Sequence, residues 1–224
     1  MIGTLINTLT VLAGSSIGIL LKRRLPKGGS SVIFNVVGLF TLYLGLDMAQ
    51  KTSSPVSLIL GLLVGTIIGE CMRLEDLMEG SAEKLRKKIG GDSNFVEGMI
   101  TAFLTFCIGP MTIVGSIRDG MGDPSIILAK AVMDGFASMA YATALGMGVI
   151  FSAIPLLLFQ GSLTIVGSLS GYLFPSKVIA DLTGAGGIIL LGLAIRLLKL
   201  REIKVGNMLP SLLTVPLISF LLKF

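Results

Sequence analysis

The sequence predicts an all-α integral membrane protein of about eight transmembrane helices, a single polytopic membrane domain over residues 1–224. Three observations predict it. Hydrophobic residues make up 53% of the chain, and its mean hydropathy is +0.91. Charged residues make up only 14%, against about 25% in soluble domains, too few to cover a water-facing surface. The apolar residues also fall in runs close to the ~20 residues that cross a bilayer as a helix.

The spans are read at 3–21, 32–50, 56–72, 95–117, 126–149, 151–174, 178–198 and 206–223. The first begins at Ile2 with no basic residue ahead of it, and Lys22, Arg23, Arg24 and Lys27 follow. That order is unlike an ordinary cleavable signal and sets the N-terminus outside. The stretch 126–174 has no charge after Asp134. As one helix it would run to about 74 Å, so it must turn, near Gly148 to Pro155. Charge checks the parity of the count. Thirteen of the 18 basic residues fall in segments assigned inside, and only Lys51, Arg118, Lys177 and Lys223 fall outside. The expected location is the cell inner (cytoplasmic) membrane, multi-pass, with both termini outside.

Segment 73–94 is the one long polar stretch. Leu74, Leu77, Met78, Leu85 and Ile89 recur at helical spacing among acidic and basic residues. It reads as a cytoplasmic amphipathic connector, either lying on the leaflet or capping the bundle.

An internal repeat is visible. A shift of 153 residues pairs Asn7 with Gln160, Gly14 with Gly167, Ser15 with Ser168 and Gly18 with Gly171. A shift of 147 pairs Leu44, Gly45 and Leu46 with Leu191, Gly192 and Leu193. Spans 1-2(-3) and 6-7(-8) would run in opposite directions, the inverted arrangement common in secondary transporters. The glycine stripes read as close packing. The amides of Asn7 and Gln160 read equally as cross-helix partners or as substrate ligands, because an amide in hydrocarbon needs a partner.

The fourth span carries Gly109–Pro110 at its middle. Proline removes a donor and frees a carbonyl near Phe106. The sequence therefore predicts a broken fourth helix with Thr105, Thr112 and Ser116 around the break, either a kink or a ligand site. In the fifth span Lys130, Asp134, Ser138 and Tyr141 share one face. A carboxylate near mid-bilayer costs about 2.5–3.5 kcal/mol on insertion scales and should face inward with a partner. Lys130 is one turn away. Asp119 closes the run from the break and reads as a vestibule residue or an interfacial charge. Asp47 and Asp181 read the same way.

The runs TFCIGPMTIVGSIRDG and KAVMDGFASMAYATALGMGVIFSAIPLLLFQG, with the opening GTLINTLTVLAGSSIG, resemble the bacterial membrane family called domain of unknown function 554 (YqgA-like). The similarity extends over the whole chain. It implies a membrane or transport role and supplies no catalytic residue to carry over.

The sequence contains no His, and Cys71 and Cys107 form no spaced pair, so imidazole catalysis, a zinc site and a disulfide framework are all excluded. No phosphate loop, dinucleotide fingerprint, nucleophile elbow or zinc-protease motif occurs. The glycine-rich runs GSSIGI and GAGGI lie inside spans. Eleven Met could suggest soft-metal transport, but they are scattered and suit gap filling. No cofactor and no nucleic-acid partner is expected. The expected function is a secondary transporter or channel for a small ion or polar solute in the lipid bilayer, not an enzyme. Its candidate site residues are Asp134, Lys130, Ser138, Gly109, Pro110, Thr112, Ser116, Asp119, Asn7 and Gln160. The alternative is a non-transporting membrane scaffold or accessory subunit. A metal ligand set and homo-oligomerisation are left open.

Overall fold

The computed structural model describes residues 1–22, 29–170 and 175–222. Arg23, Arg24, Lys27, Gly171 and Lys223 of the charge and repeat arguments lie outside the described residues. Among the described residues the secondary structure is helical, with no strand. In order it runs α1 (Ile2–Lys22), α2 (Gly29–Ala49), α3 (Pro55–Met72), α4 (Leu74–Ile89), α5 (Phe95–Cys107), α6 (Pro110–Gly120), α7 (Ser125–Leu145), α8 (Gly148–Phe151), α9 (Ala153–Ser170), α10 (Ser176–Leu197), a 3-10 turn (Val205–Met208) and α11 (Ser211–Leu222).

Among the described residues six helical stretches are long and apolar enough to cross a membrane, and seven if the α5–α6 pair counts as one span. That pair is bent by 66°, so the fourth helix is broken where the proline predicts. The expected second span corresponds to α2, which enters this count only as the shorter apolar helix Asn35–Ala49. Length and composition therefore qualify fewer than the eight expected spans.

The turn within 126–174 falls slightly upstream of its expected place. The chain reverses at Gly146, whose φ of +85° favours a residue without a Cβ. Gly148 and Pro155 instead lie within helices α8 and α9. Pro155 is tolerated because α9 begins only two residues earlier, where first-turn N–H groups have no helical acceptor.

Side-chain distribution on α3 is the reverse of that in a soluble helix. Gly61, Gly65 and Gly69 are buried, while Val56, Ile59, Leu63 and Ile67 point outward. Small residues inside and large apolar residues outside suit a lipid surround, where close backbone approach holds helices together. Ser54 caps the helix by accepting from the Ser57 N–H at 3.3 Å, with Pro55 at the first helical position. Arg73, in a left-handed conformation at φ 51°, ends it and turns the chain into α4.

The chain forms two compact units. The first comprises Met1–Val37, Ser81–Cys107 and Met111–Leu173. Its centre is α1 against α7. A Cβ on Gly14 would lie 2.1 Å from the Gly135 carbonyl oxygen, and one on Gly18 would lie 2.3 Å from that of Met139. Gly3 meets Ile127 at the other end, so contacts rise together in number and the two helices run parallel. Helix α9 runs antiparallel to α1: Thr4 meets Thr164, and Asn7 meets Gln160. The bent pair runs the length of α1. Asp92, just before α5, lies 3.8 Å from Lys22 at one end of α1, and Asp119 near the end of α6 holds the other. The α5–α6 pair therefore starts beside one end of α1 and finishes beside the other.

The second unit comprises Gly38–Gly80, Ile108–Pro110 and Phe174–Phe224. Here α3 and α11 run antiparallel, with Gly61 on Val215, Gly65 on Ser211 and Gly69 on Asn207 of the preceding turn. The second half of α2 runs antiparallel to α10, with Gly38 on Leu198 and Gly45 on Leu191. The start of α4 is docked rather than solvated. Glu75 is buried, its carboxylate accepting from Arg196 and the Gly206 N–H, and Arg196 also reaches Glu79 at 2.8 Å. Further along α4, Arg86 donates two hydrogen bonds to Glu83 and holds its carboxyl below the usual range.

Candidate functional site

The polar side chains of the first unit form two adjacent layers across α1, α6, α7 and α9. They exist because α1 buries every third or fourth residue: Gly3, Thr4, Asn7, Thr8, Val11, Gly14, Ser15 and Gly18. Two polar groups on that face, Thr4 and Asn7, stand about one turn apart, and so do Thr164 and Gln160 on α9. Antiparallel packing brings each to its counterpart.

The first layer is built on Asp119. Its Oδ1 accepts from the Gly3 N–H at 3.1 Å, and its Oδ2 accepts from the Thr4 N–H and hydroxyl, both at 3.0 Å. The Met1 amino group lies 3.1 Å from Oδ1. Thr4 also meets the Thr164 hydroxyl at 2.9 Å. Asp119 therefore caps α1, where free N–H groups and the positive end of the helix dipole favour a carboxylate. The α1 start takes both its oxygens, and the residue is buried.

The second layer holds the buried charges. Lys130 pairs with Asp134 Oδ2, as the spacing predicts, and the Asn7 Nδ2 donates to that same oxygen at 3.0 Å. The second Asn7 hydrogen goes to Gln160 Oε1 at 3.1 Å. Asp134 is the tenth of the 21 residues of α7, at mid-helix. Lys130 also stands 6.0 Å from the centre of the Phe106 ring, a cation–π contact, and that ring lies 5.9 Å from Tyr141.

Among the described residues of this unit, three buried side-chain polar atoms have no hydrogen-bond partner: Asn7 Oδ1, Gln160 Nε2 and Ser116 Oγ. Buried polar groups are normally satisfied, which sets these three apart.

The remaining expected residues have other roles. Thr112 donates to the Phe106 carbonyl at 2.7 Å, taking the acceptor that Pro110 leaves free, and so its hydroxyl serves the break instead of Asp134. Ser116 likewise makes no hydrogen bond to Asp134. Ser138 donates to the Gly135 carbonyl on its own helix at 2.8 Å, beneath Gly14. Gly109 lies in the bend, and Gly109 and Pro110 group with the second unit. Among the described residues no cluster of three or more Cys, Asp or Glu side chains could hold a metal ion.

The family model for proteins of unknown function designated DUF554 matches residues 2–220. The chain belongs to this family. Among its relatives, the uncharacterized protein YqgA of Escherichia coli (strain K12) is 34% identical over 220 residues, covering 95% of this chain and 93% of that protein. The uncharacterized membrane protein YdfK of Bacillus subtilis (strain 168) is 29% identical over 227 residues, covering 99% and 97%. No solved structure matches the chain.

In this DUF554 member, sequence reasoning understated Asp181. It is completely buried in the second unit. Its Oδ1 accepts from the Ser53 and Ser54 N–H groups at 2.8 and 2.7 Å and from the Thr52 and Ser53 hydroxyls, and its Oδ2 accepts from Ser219 at 2.6 Å. The signal was the run Thr52-Ser53-Ser54 before Pro55, a helix start rich in donors.

Proposed function

We propose that this chain is a secondary transporter or channel for a small ion or polar solute. Its site is the second polar layer: Asp134, Lys130, Asn7 and Gln160, with Ser116 on the broken span. The observation that carries this reading is the pair of unpartnered amide atoms, Asn7 Oδ1 and Gln160 Nε2, on side chains hydrogen-bonded to a buried ion pair at mid-helix, with Ser116 Oγ a third unpartnered atom on the broken helix. A device used only for helix packing would gain by pairing or removing them, since an unsatisfied buried group costs about 1–3 kcal/mol. The broken fourth helix supports it as well, because transporters use such breaks to line cavities. No catalytic residue is assigned.

Helix directions support the topology. Helix α7 packs parallel to α1, which follows if α2, α3 and the α5–α6 pair each cross once between them. Without a crossing by α2, α7 would run antiparallel. This favours eight spans with both termini on one side, and the basic asymmetry makes that side the outside of the inner membrane. The antiparallel pairs α1–α9 and α2–α10 also fit an inverted repeat, whose mates Asn7 and Gln160 meet directly.

The alternative, a non-transporting scaffold, is favoured by the completeness of the first layer, where Asp119 joins α1 and α6 with no atom to spare. Thermal stability separates the two on purified Asp134→Asn protein, screened with sodium, potassium, chloride and small polar metabolites. A ligand-induced rise in melting temperature seen with the wild type and lost in the variant supports a transport site. A folded variant that responds as the wild type does removes Asp134 from that role.

A further inference from the structure

We infer that the solute taken by the second polar layer carries no net charge and presents a hydrogen-bond donor and an acceptor close together, as a primary amide or urea does. The inference rests on the transport reading above and narrows its substrate class.

The hydrogen-bond pattern specifies the chemistry. Both Asn7 Nδ2 hydrogens are committed, one to Asp134 Oδ2 and one to Gln160 Oε1. A carboxylate can only accept, so the Asn7 amide cannot be turned over, and the orientation of Gln160 follows from it. What remains is one bare acceptor, Asn7 Oδ1, and one bare donor group, Gln160 Nε2, both in side chains that are 0% exposed. Each bare atom stands within its own amide about 2.3 Å from the bonded one, so the two lie no more than about 8 Å apart. A molecule offering N–H or O–H to Asn7 and a carbonyl or hydroxyl oxygen to Gln160 completes both.

Charge excludes the other class. The ionised groups of this layer are Lys130 and Asp134, and they neutralise each other. A lone cation or anion seated here would have to displace one member of the pair or remain uncompensated in a low-dielectric setting, whereas a neutral solute leaves the pair intact.

The test is solute flux into proteoliposomes of the full chain, each rate compared with protein-free vesicles. Urea and acetamide should enter faster, while sodium, potassium and chloride should not. N,N-dimethylacetamide, which keeps the carbonyl but has no N–H, should lose about tenfold of the facilitated rate for one missing hydrogen bond. Gln160→Met should abolish facilitation, and the solute series on the wild type decides the matter if that variant does not fold. Facilitated ion flux without urea or acetamide flux overturns this inference and leaves the transport reading standing. Equal facilitation of acetamide and its dimethyl form, or acceleration of water alone, also overturns the inference. No facilitated flux of any probe overturns both.

Discussion

The Thr112 hydroxyl donates to the Phe106 carbonyl at 2.7 Å across the break in the fourth span. That carbonyl is the one Pro110 cannot serve, because proline has no N–H to return to the residue four positions earlier. A side chain two residues past the proline thus repairs the backbone defect that the proline makes.

Thr112→Val should therefore lower stability by about 1–3 kcal/mol, the cost of a buried acceptor left unsatisfied. Thr105→Val is the control. Thr105 donates to the Thr101 carbonyl within a regular helix, where the backbone already supplies a donor. Melting temperatures in detergent should fall for the first variant and barely change for the second. Equal effects would refute the repair role.

Removing one member of the Lys130–Asp134 pair should be worse than removing both. Asp134→Asn leaves a buried ammonium without its carboxylate, a loss of about 3–5 kcal/mol. Adding Lys130→Met should recover most of that stability, since two neutral side chains strand no charge. A double variant as unstable as Asp134→Asn alone would mean that shape, not charge, holds this contact.

Asp119→Ala should cost about 1–2 kcal/mol through the lost cap of α1. Asp123→Ala, in the exposed loop just beyond, is the comparison and should change stability by no more than about 0.5 kcal/mol. Denaturant titration followed by helicity reads both. A substitution at Asp119 as silent as one at Asp123 would refute the cap.

Cysteine labelling checks the membrane topology in a Cys71→Ser background. Gly80→Cys sits where a Cβ meets nothing within 4 Å, on the connector helix. It should react with an impermeant maleimide only after permeabilisation. Met121→Cys, exposed on the loop between α6 and α7, should react in intact cells. The reverse pattern would invert the orientation.

How much of this was legible in the sequence depends on the range of each interaction. Composition alone fixes the membrane class, and the broken span is local: Gly109–Pro110 announces itself in an apolar run. The Lys130–Asp134 pair is one turn of helix, so spacing predicts it. The sequence puts the turn a little late because Pro155 and Gly148 read as the breakers, whereas the positive φ falls to Gly146. Asp119 and Asp181 could not be assigned. The N–H groups that bind them belong to helix starts 115 or more residues away in sequence, and an N-terminus offers no pattern that names its acceptor. Glu75 was hidden for the same reason, since its burial comes from Arg196 and Gly206 on later elements. The orphaned atoms of Asn7 and Gln160 were legible only as amides. Which atom stays bare follows from Asp134 claiming the Asn7 hydrogen.

The bonds of Asn7 also constrain the order of synthesis. Asp134 follows Asn7 by 127 residues and Gln160 by 153. At roughly 5–20 residues per second, the first helix waits many seconds in the membrane before either partner emerges from the ribosome. Through that interval its amide has neither carboxylate nor sister amide to bond. Nascent chains halted before residue 134 should hold α1 loosely and lose it readily to extraction, and chains halted beyond residue 160 should retain it. The contact between Asn7 and Gln160 thus joins the first helix made to one made more than 150 residues later.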